Sequence, residues 1–266
     1  MLGAILGDII GSPYEFDEGS PKTTTFPLFC DRSRFTDDTV MTLAVAQGVM
    51  KGYQDKEKTA REVTLAMQEL GRKYPNAGYG GRFWQWLKEK EPRPYGSFGN
   101  GSAMRVSSVA WIYPTLKQVE TFAEITAAVT HNHEEGMKGA KATAGAIFLA
   151  RQGRDKGEIK QYIEETYQYD LSRSCDALRP NYLPAVSCQE TVPQGITAFL
   201  EGSSVEEAIR LAVSLGGDTD TLGAIAGSIA EAYYPIPKAL KEQALAMLDE
   251  RLRTILIEYD QFIMSL

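Results

Sequence analysis

Ser214-Leu215-Gly216-Gly217-Asp218-Thr219-Asp220-Thr221-Leu222-Gly223-Ala224-Ile225-Ala226-Gly227 reads as the end of one helix, a tight turn and the start of another. The segment before it, Val205 to Leu215, has helical spacing of apolar residues behind a Ser204-x-x-Glu207 capping box, and the paired glycines stop it. Asp218 and Asp220 are two apart, so a regular helix would aim them at nearly opposite faces. At the turn into a helix both can face one ion. A second stretch of the same two residue types, Thr36-Asp37-Asp38-Thr39, stands near the other end of the chain, ahead of the apolar run Val40 to Val49. Both tetrads therefore read as helix starts. One such cluster is ordinarily a cap, because Asp and Thr side chains accept from the first free N–H groups of a helix. Two of them carry four carboxylates, more than two caps need. If they converge, like charges about 4 Å apart repel by roughly 1 kcal/mol in water and about 4 kcal/mol at an effective dielectric of 20. An all-oxygen nest of this kind calls for hard divalent cations such as Mg²⁺, and the expectation is a two-metal site.

Glycine spacing indicates how the two ends meet. Gly3, Gly7 and Gly11 recur every four residues in the opening segment MLGAILGDIIG, and Gly223 and Gly227 repeat the interval after the second tetrad. Each glycine inside a helix costs about 1 kcal/mol relative to alanine, so five at this interval point to two helices packed backbone to backbone.

Composition narrows the alternatives. The chain has 266 residues, 43% of them apolar, and neither a linker nor a low-complexity run divides it, so one domain spanning 1–266 is expected. A net charge of −7 gives no basic footprint for nucleic acid. No segment reaches the ~18 apolar residues of a membrane span. Cys30, Cys175 and Cys188 have no metal-site spacing, and a cytoplasmic location is expected.

The remaining segments are helical in pattern. Helices are predicted over Asp55 to Leu70, ending at Gly71, and over Thr121 to Thr130, opened by a Thr121-x-x-Glu124 box. Others are predicted over Ala103 to Ile112, Lys138 to Ala150, Glu158 to Tyr167, Gln194 to Leu200, and Lys238 to about Phe262 without an internal cap. Only Lys22 to Phe29 hints at extended chain. The expected fold class is all-α, a domain of stacked helices with function on the connecting loops.

Three more stretches can carry chemistry. Tyr95 to Arg105 is a glycine-rich loop leading into helical sequence, where backbone N–H groups can meet phosphate oxygens, although a plain tight turn fits at least as well. Glu15 is an isolated loop carboxylate, a type that is ordinarily just solvated. His131 and His133 follow a predicted helix, which favours a surface or ligand-contacting role over a zinc pair.

Taken in order, Gly7-Asp8-Ile9-Ile10-Gly11-Ser12-Pro13-Tyr14-Glu15, Phe35-Thr36-Asp37-Asp38-Thr39, Ser97-Phe98-Gly99-Asn100-Gly101-Ser102-Ala103-Met104-Arg105, Thr130-His131 and Ser214 to Thr221 resemble the motifs of the ADP-ribosylglycohydrolase family. The resemblance runs from residue 3 to about 234. It implies an all-α, single-domain orthogonal helical bundle with its active site on loops at helix N-termini, holding two Mg²⁺, with Mn²⁺ able to substitute, that hydrolyses the bond between ADP-ribose C1″ and an acceptor on a protein or small conjugate. It makes Thr36, Asp37, Asp38, Asp218, Asp220 and Thr221 the metal ligands, with Thr39 and Thr219 structural. Glu15, Asp37, Asp38 and Asp220 become the catalytic set, Glu15 matching a mobile acidic residue suited to proton transfer. Ser97, Phe98, Gly99, Asn100, Gly101, Ser102 and Met104 would cradle the diphosphate and distal ribose, and His131 would face the ligand. Ser102 stands where many members have Gly, and Tyr167 to Pro193 follows no recognised motif.

Cleaving a glycosidic bond at ribose passes through an oxocarbenium-like state, which metal-oriented hydroxyls and an activated water would assist. Two other readings stand beside this one. A Mg²⁺-dependent all-α diphosphate lyase or prenyl synthase would need Asp-Asp-x-x-Asp, but Val40 and Met41 follow Asp38-Thr39. A non-catalytic ADP-ribose-binding or structural relative would keep the fold without turnover.

Overall fold

The computed structural model describes residues 1–16 and 21–266. The helices run in the order α1 (Leu2–Gly11), α2 (Asp37–Lys51), α3 (Lys56–Lys73), α4 (Gly81–Trp86), α5 (Gly101–Met104), α6 (Ser107–Ile112), α7 (Leu116–Ala128) and α8 (Glu134–Arg151). They continue with α9 (Lys156–Tyr167), α10 (Cys175–Leu178), α11 (Cys188–Glu201), α12 (Val205–Ser214), α13 (Thr219–Tyr233), α14 (Lys238–Met247) and α15 (Glu250–Ser265). No strand forms among the described residues; an isolated bridge pairs Gly99 with Ser187. The fold is all-α, as its patterning required.

The centre is α13. Every residue of this helix from Thr219 to Ala230 is buried, and α1, α8, α11 and α12 pack around it. All of α1 is buried too, so these two helices are apolar on nearly every face. Their contact is backbone on backbone. A Cβ added at Gly7 would overlap the carbonyl of Gly223, one at Gly3 the carbonyl of Gly227, and one at Gly11 the carbonyl of Thr219. The Thr219 hydroxyl closes the seam by donating to Gly11 O at 2.9 Å. At the far end, Glu231 accepts from the terminal ammonium of Met1 at 2.6 Å and from the Gly3 N–H at 2.7 Å, satisfying donors that a helix start leaves open. A continuous apolar core extends from Met1 to Tyr259.

Several boundaries differ from the sequence expectation, each for a local reason. The helix predicted from Thr121 starts at Leu116, because Thr115 caps it by accepting from Gln118 N at 3.3 Å. Thr121 lies inside, its hydroxyl turned back to Lys117 O at 2.8 Å. Helix α3 passes through Gly71 to Lys73, and the absent side chain leaves room for Leu87. Helix α11 begins six residues before Gln194 and runs through Pro193, held by a buried face of Cys188, Val192, Ile196 and Phe199. The single long C-terminal helix is two, parted at Asp249, which accepts from Leu252 N at 2.9 Å and opens α15. Ser204 caps α12, but Glu207 completes no box; it accepts from Ser203 N at 2.7 Å instead. Ala103 to Ile112 is broken at Arg105 and Val106. Lys22 to Phe29 forms no strand, and Arg210 holds it by donating to Thr24 O at 3.1 Å and Phe26 O at 2.7 Å. No helix among the described residues is long and apolar enough to cross a membrane.

The backbone contact sets a stability test. Gly7→Ala forces α1 away from α13 and is expected to cost about 1–3 kcal/mol, read as a lowered melting temperature. Gly80→Ala, where an added Cβ meets nothing within 4 Å, is the control and is expected to melt within a degree or two of the parent.

Candidate metal centre and ligand cavity

The α1–α13 seam brings the two tetrads together. Thr36 is the N-cap of α2 and Asp218 that of α13, so both acidic clusters sit at helix N-termini, where the helix dipole favours negative charge. Capping does not consume the carboxylates. Thr36 Oγ1 supplies the α2 cap, accepting from Asp38 N at 3.3 Å, while Asp218 makes no capping bond and accepts from Asn100 Nδ2 at 2.7 Å. The left-handed turn that permits this geometry is built by Gly216 and Gly217, at φ of 80° and 77°.

Hydroxyls join the two clusters. Thr36 Oγ1 lies 3.3 Å from Asp220 Oδ2, and Thr221 Oγ1 donates to Asp38 Oδ2 at 3.2 Å. Glu15, Asp218 and Asp220 each place a carboxylate oxygen within 4.8 Å of the others. Asp37 takes its position from its own N–H, bonded to Ala77 O at 2.9 Å. Beneath them lies Asp8, fully buried in α1. Its carboxylate accepts from Thr36 N at 2.9 Å, Thr36 Oγ1 at 2.7 Å, Thr39 N at 2.9 Å and the Thr39 hydroxyl. Asp8 thus pins the start of α2 to α1 and orients the ligand-bearing turn. A lone Asp in an otherwise apolar helix was the signal for it, and the pairing with a Thr-x-x-Thr on another helix was not visible in the sequence.

The electrostatics show how concentrated the charge is. Burial pushes the Asp37 carboxyl up to about 8, with Asp8, Asp218 and Glu15 adding repulsion. Burial and the charges of Asp218 and Asp8 raise Glu15 to about 7. Asp38 and Asp220 are held well above the ordinary carboxylate range, again by burial first and then by their acidic neighbours. Asp38 Oδ1 is buried with no hydrogen-bond partner among the described residues. One orphaned buried carboxylate oxygen, two threonine hydroxyls and the mutual repulsion of the carboxylates form a donor set suited to hard divalent cations. Such ions would lie between Thr36, Asp37 and Asp38 on one side and Asp218, Asp220 and Thr221 on the other.

These carboxylates form the floor of a cavity of about 410 Å³, a size that accepts a nucleotide-like ligand. Of the predicted ligand-binding residues, Ser97, Gly99, Asn100, Gly101, Met104 and His131 line it. Phe98 is 49% exposed and packs on His133, with ring centroids 5.3 Å apart, and does not line the cavity. Ser102 does not line it either; its hydroxyl donates inward to Gly136 O at 2.7 Å. The wall also includes the glycine-rich turn Gly78, Gly80 and Gly81 with Arg82, none of which the sequence reading had selected. Segment 167–193 acts as a brace. Asn100 N donates to Val186 O at 2.8 Å and Cys188 N to Phe98 O at 2.9 Å, fixing the loop that carries Asn100.

Comparison with known proteins identifies the family and the fold. A sequence profile of the ADP-ribosylglycohydrolase family matches residues 1–262. The chain is 29% identical to ADP-ribosylhydrolase ARH3 of Homo sapiens over 88% of its length and 84% of the relative's. It is 24% identical to ADP-ribosylarginine hydrolase Tri1 of Pseudomonas putida (strain GB-1), over 89% of the chain and 70% of that protein. Among solved structures, an ADP-ribosylglycohydrolase-related protein complex superposes with a TM-score of 0.71 at 24% identity, covering 100% of this chain and 97% of the other. With the profile spanning nearly every residue and the solved fold superposing throughout, the chain belongs to the ADP-ribosylglycohydrolase family.

Proposed function

We propose that this protein is a Mg²⁺-dependent ADP-ribosylhydrolase that cleaves the glycosidic bond between C1″ of ADP-ribose and an acceptor on a modified protein or small conjugate. The observation that carries the proposal is the convergence of Glu15, Asp37, Asp38, Asp218 and Asp220 on one cavity with a glycine-rich wall. Divalent cations held by Thr36, Asp37, Asp38, Asp218, Asp220 and Thr221 would supply Lewis acidity for ribose hydroxyls and a water. The chain's own residues do the rest. The half-buried backbone at Gly99 and Gly101, which carries no side chain, lets phosphate oxygens approach closely, and the neutral His131 ring faces the same space. Asn100 holds Asp218 in position from the loop side. Glu15, with a carboxyl raised to about 7, is poised near neutrality to hold or pass a proton at the ribose end of the cavity.

Asp37→Asn and Asp220→Asn are each expected to lose Mg²⁺ binding and turnover together, measured by calorimetry and by release of ADP-ribose. Glu15→Gln is expected to keep both metal and ADP-ribose binding while turnover falls by about 10²–10⁴. Undiminished turnover in Glu15→Gln would remove that residue from the reaction. A panel of arginine-, serine- and acetyl-linked ADP-ribose substrates, assayed with Mg²⁺, Mn²⁺, Ca²⁺ or chelator, separates hydrolysis from mere binding and identifies the linkage.

The raised carboxyls also fix a pH dependence. Their folded values exceed the ordinary ones, so without metal the folded chain binds more protons than the unfolded chain. The associated stability is complete at acid pH and is lost as pH rises through about 7 for Glu15 and about 8 for Asp37. Thermal melting in chelator should therefore fall across that window, and excess Mg²⁺ should flatten or reverse the slope because it binds the deprotonated ligands. Identical profiles with and without Mg²⁺ would contradict a metal role for these groups.

A further inference from the structure

His131 is 4% exposed and borders the cavity, and its Nδ1 lies 2.6 Å from Thr130 Oγ1. The same oxygen receives a hydrogen bond of 2.8 Å from Arg105 Nη2. Arg105 occupies the break between α5 and α6, is 1% exposed, and meets no carboxylate at ion-pair distance among the described residues. A guanidinium has only donors, so Thr130 Oγ1 must accept from it. Among the described residues the hydroxyl's single proton then has one acceptor in reach, the Nδ1 atom of His131. Were Nδ1 protonated instead, the Thr130 proton would be left without an acceptor at a position that is 0% exposed, a state that buried polar groups rarely adopt.

We propose that Arg105 and Thr130 are positioning residues that fix His131 as the Nε2–H tautomer, so that the ring offers a neutral donor to an anionic oxygen of the ligand beside Gly99 and Gly101. The surroundings fit this role. His131 Nε2 has no protein partner among the described residues. A Cβ at Gly101 would sit 3.3 Å from it and one at Gly99 3.5 Å, so side chains there would crowd the donor. Gly136 leaves space behind the ring, since a Cβ there would lie 3.0 Å from His131 Cβ. The backbone of Thr130 is clamped by Tyr95 N at 3.2 Å and Ser97 N at 3.5 Å, both donating to its carbonyl. Burial, and after it the Arg105 charge, keeps the ring's basicity well below that of an ordinary histidine, so the donor stays neutral. Taking the anion as a diphosphate oxygen of ADP-ribose rests on the proposed function; the tautomer assignment does not.

The chain has two histidines, and His133→Asn leaves His131 as the sole imidazole while keeping a cap acceptor for α8. Nitrogen-15 spectra of that protein are expected to show protonated Nε2 and bare Nδ1, with the Nε2–H resonance moving when ADP-ribose is added. Thr130→Val is expected to give a mixture of tautomers and about 10-fold weaker ADP-ribose binding, and Thr130→Ser to restore both. Protonated Nδ1 in the parent, or an unchanged tautomer in Thr130→Val, would overturn the proposal. The parent spectrum decides the tautomer even if Thr130→Val fails to fold. If calorimetry shows no ADP-ribose binding to the parent, the substrate reading fails while the tautomer is still decided by the spectrum. Binding without any response at Nε2–H would overturn the donor role.

Discussion

The arrangement depends on α1 and α13 touching through their backbones. Five glycines and the Thr219 hydroxyl bond to Gly11 set that approach. It places Asp8 of α1 directly under the first turn of α2, and places Asp218 and Asp220 of α13 opposite it. If the helices stood apart at the usual interaxial distance of about 8–10 Å, Thr36 could not bridge Asp8 and Asp220 as it does. The conformational cost of helix glycines is thus offset by a geometry that larger residues would forbid.

That geometry creates a problem which the fold leaves to a ligand. Among the residues lining the cavity the basic groups are Arg82, Arg105 and His131. Arg82 donates to Tyr95 O at 2.8 Å, and Arg105 is occupied by Thr130. Among the described residues no side-chain cation pairs with the floor carboxylates, and the Arg34 charge only partly offsets the repulsion at Glu15. The carboxyls of Asp37, Asp38, Asp220 and Glu15 are therefore all raised by burial and by each other. Divalent cations bound there would relieve the repulsion, with Thr36, Asp37, Asp38, Asp218, Asp220 and Thr221 placed to hold them in the proposed function. The two ends of the cavity differ in character: one is acidic, and the other is lined by Gly99 and Gly101 with the His131 imidazole.

Much of this was legible in the sequence because the signals were local or periodic. The tetrads, the double glycine before Asp218 and the four-residue glycine interval each announce a backbone requirement, and the structure meets all of them. Boundaries failed where tertiary packing overrode local rules, as at Pro193 inside α11, or where a better cap lay upstream, as at Thr115. Asp8, Arg105 and the Gly78–Gly81 turn were missed because their importance lies in distance. A carboxylate accepting from residues 28 and 31 positions away, or a wall built from separate loops, has no pattern along the chain. The 167–193 segment is silent for the same reason, since it acts through backbone hydrogen bonds that carry no residue preference.

The central claim is that these carboxylates hold a pair of divalent ions beside the glycine-rich wall. Anomalous diffraction from crystals grown with Mn²⁺ and ADP-ribose tests it most directly. The account predicts two peaks, ringed by oxygens of Thr36, Asp37, Asp38, Asp218, Asp220 and Thr221, with the ribose against them. Peaks elsewhere, or an ADP-ribose seated in the cavity with no metal near those side chains, would contradict it.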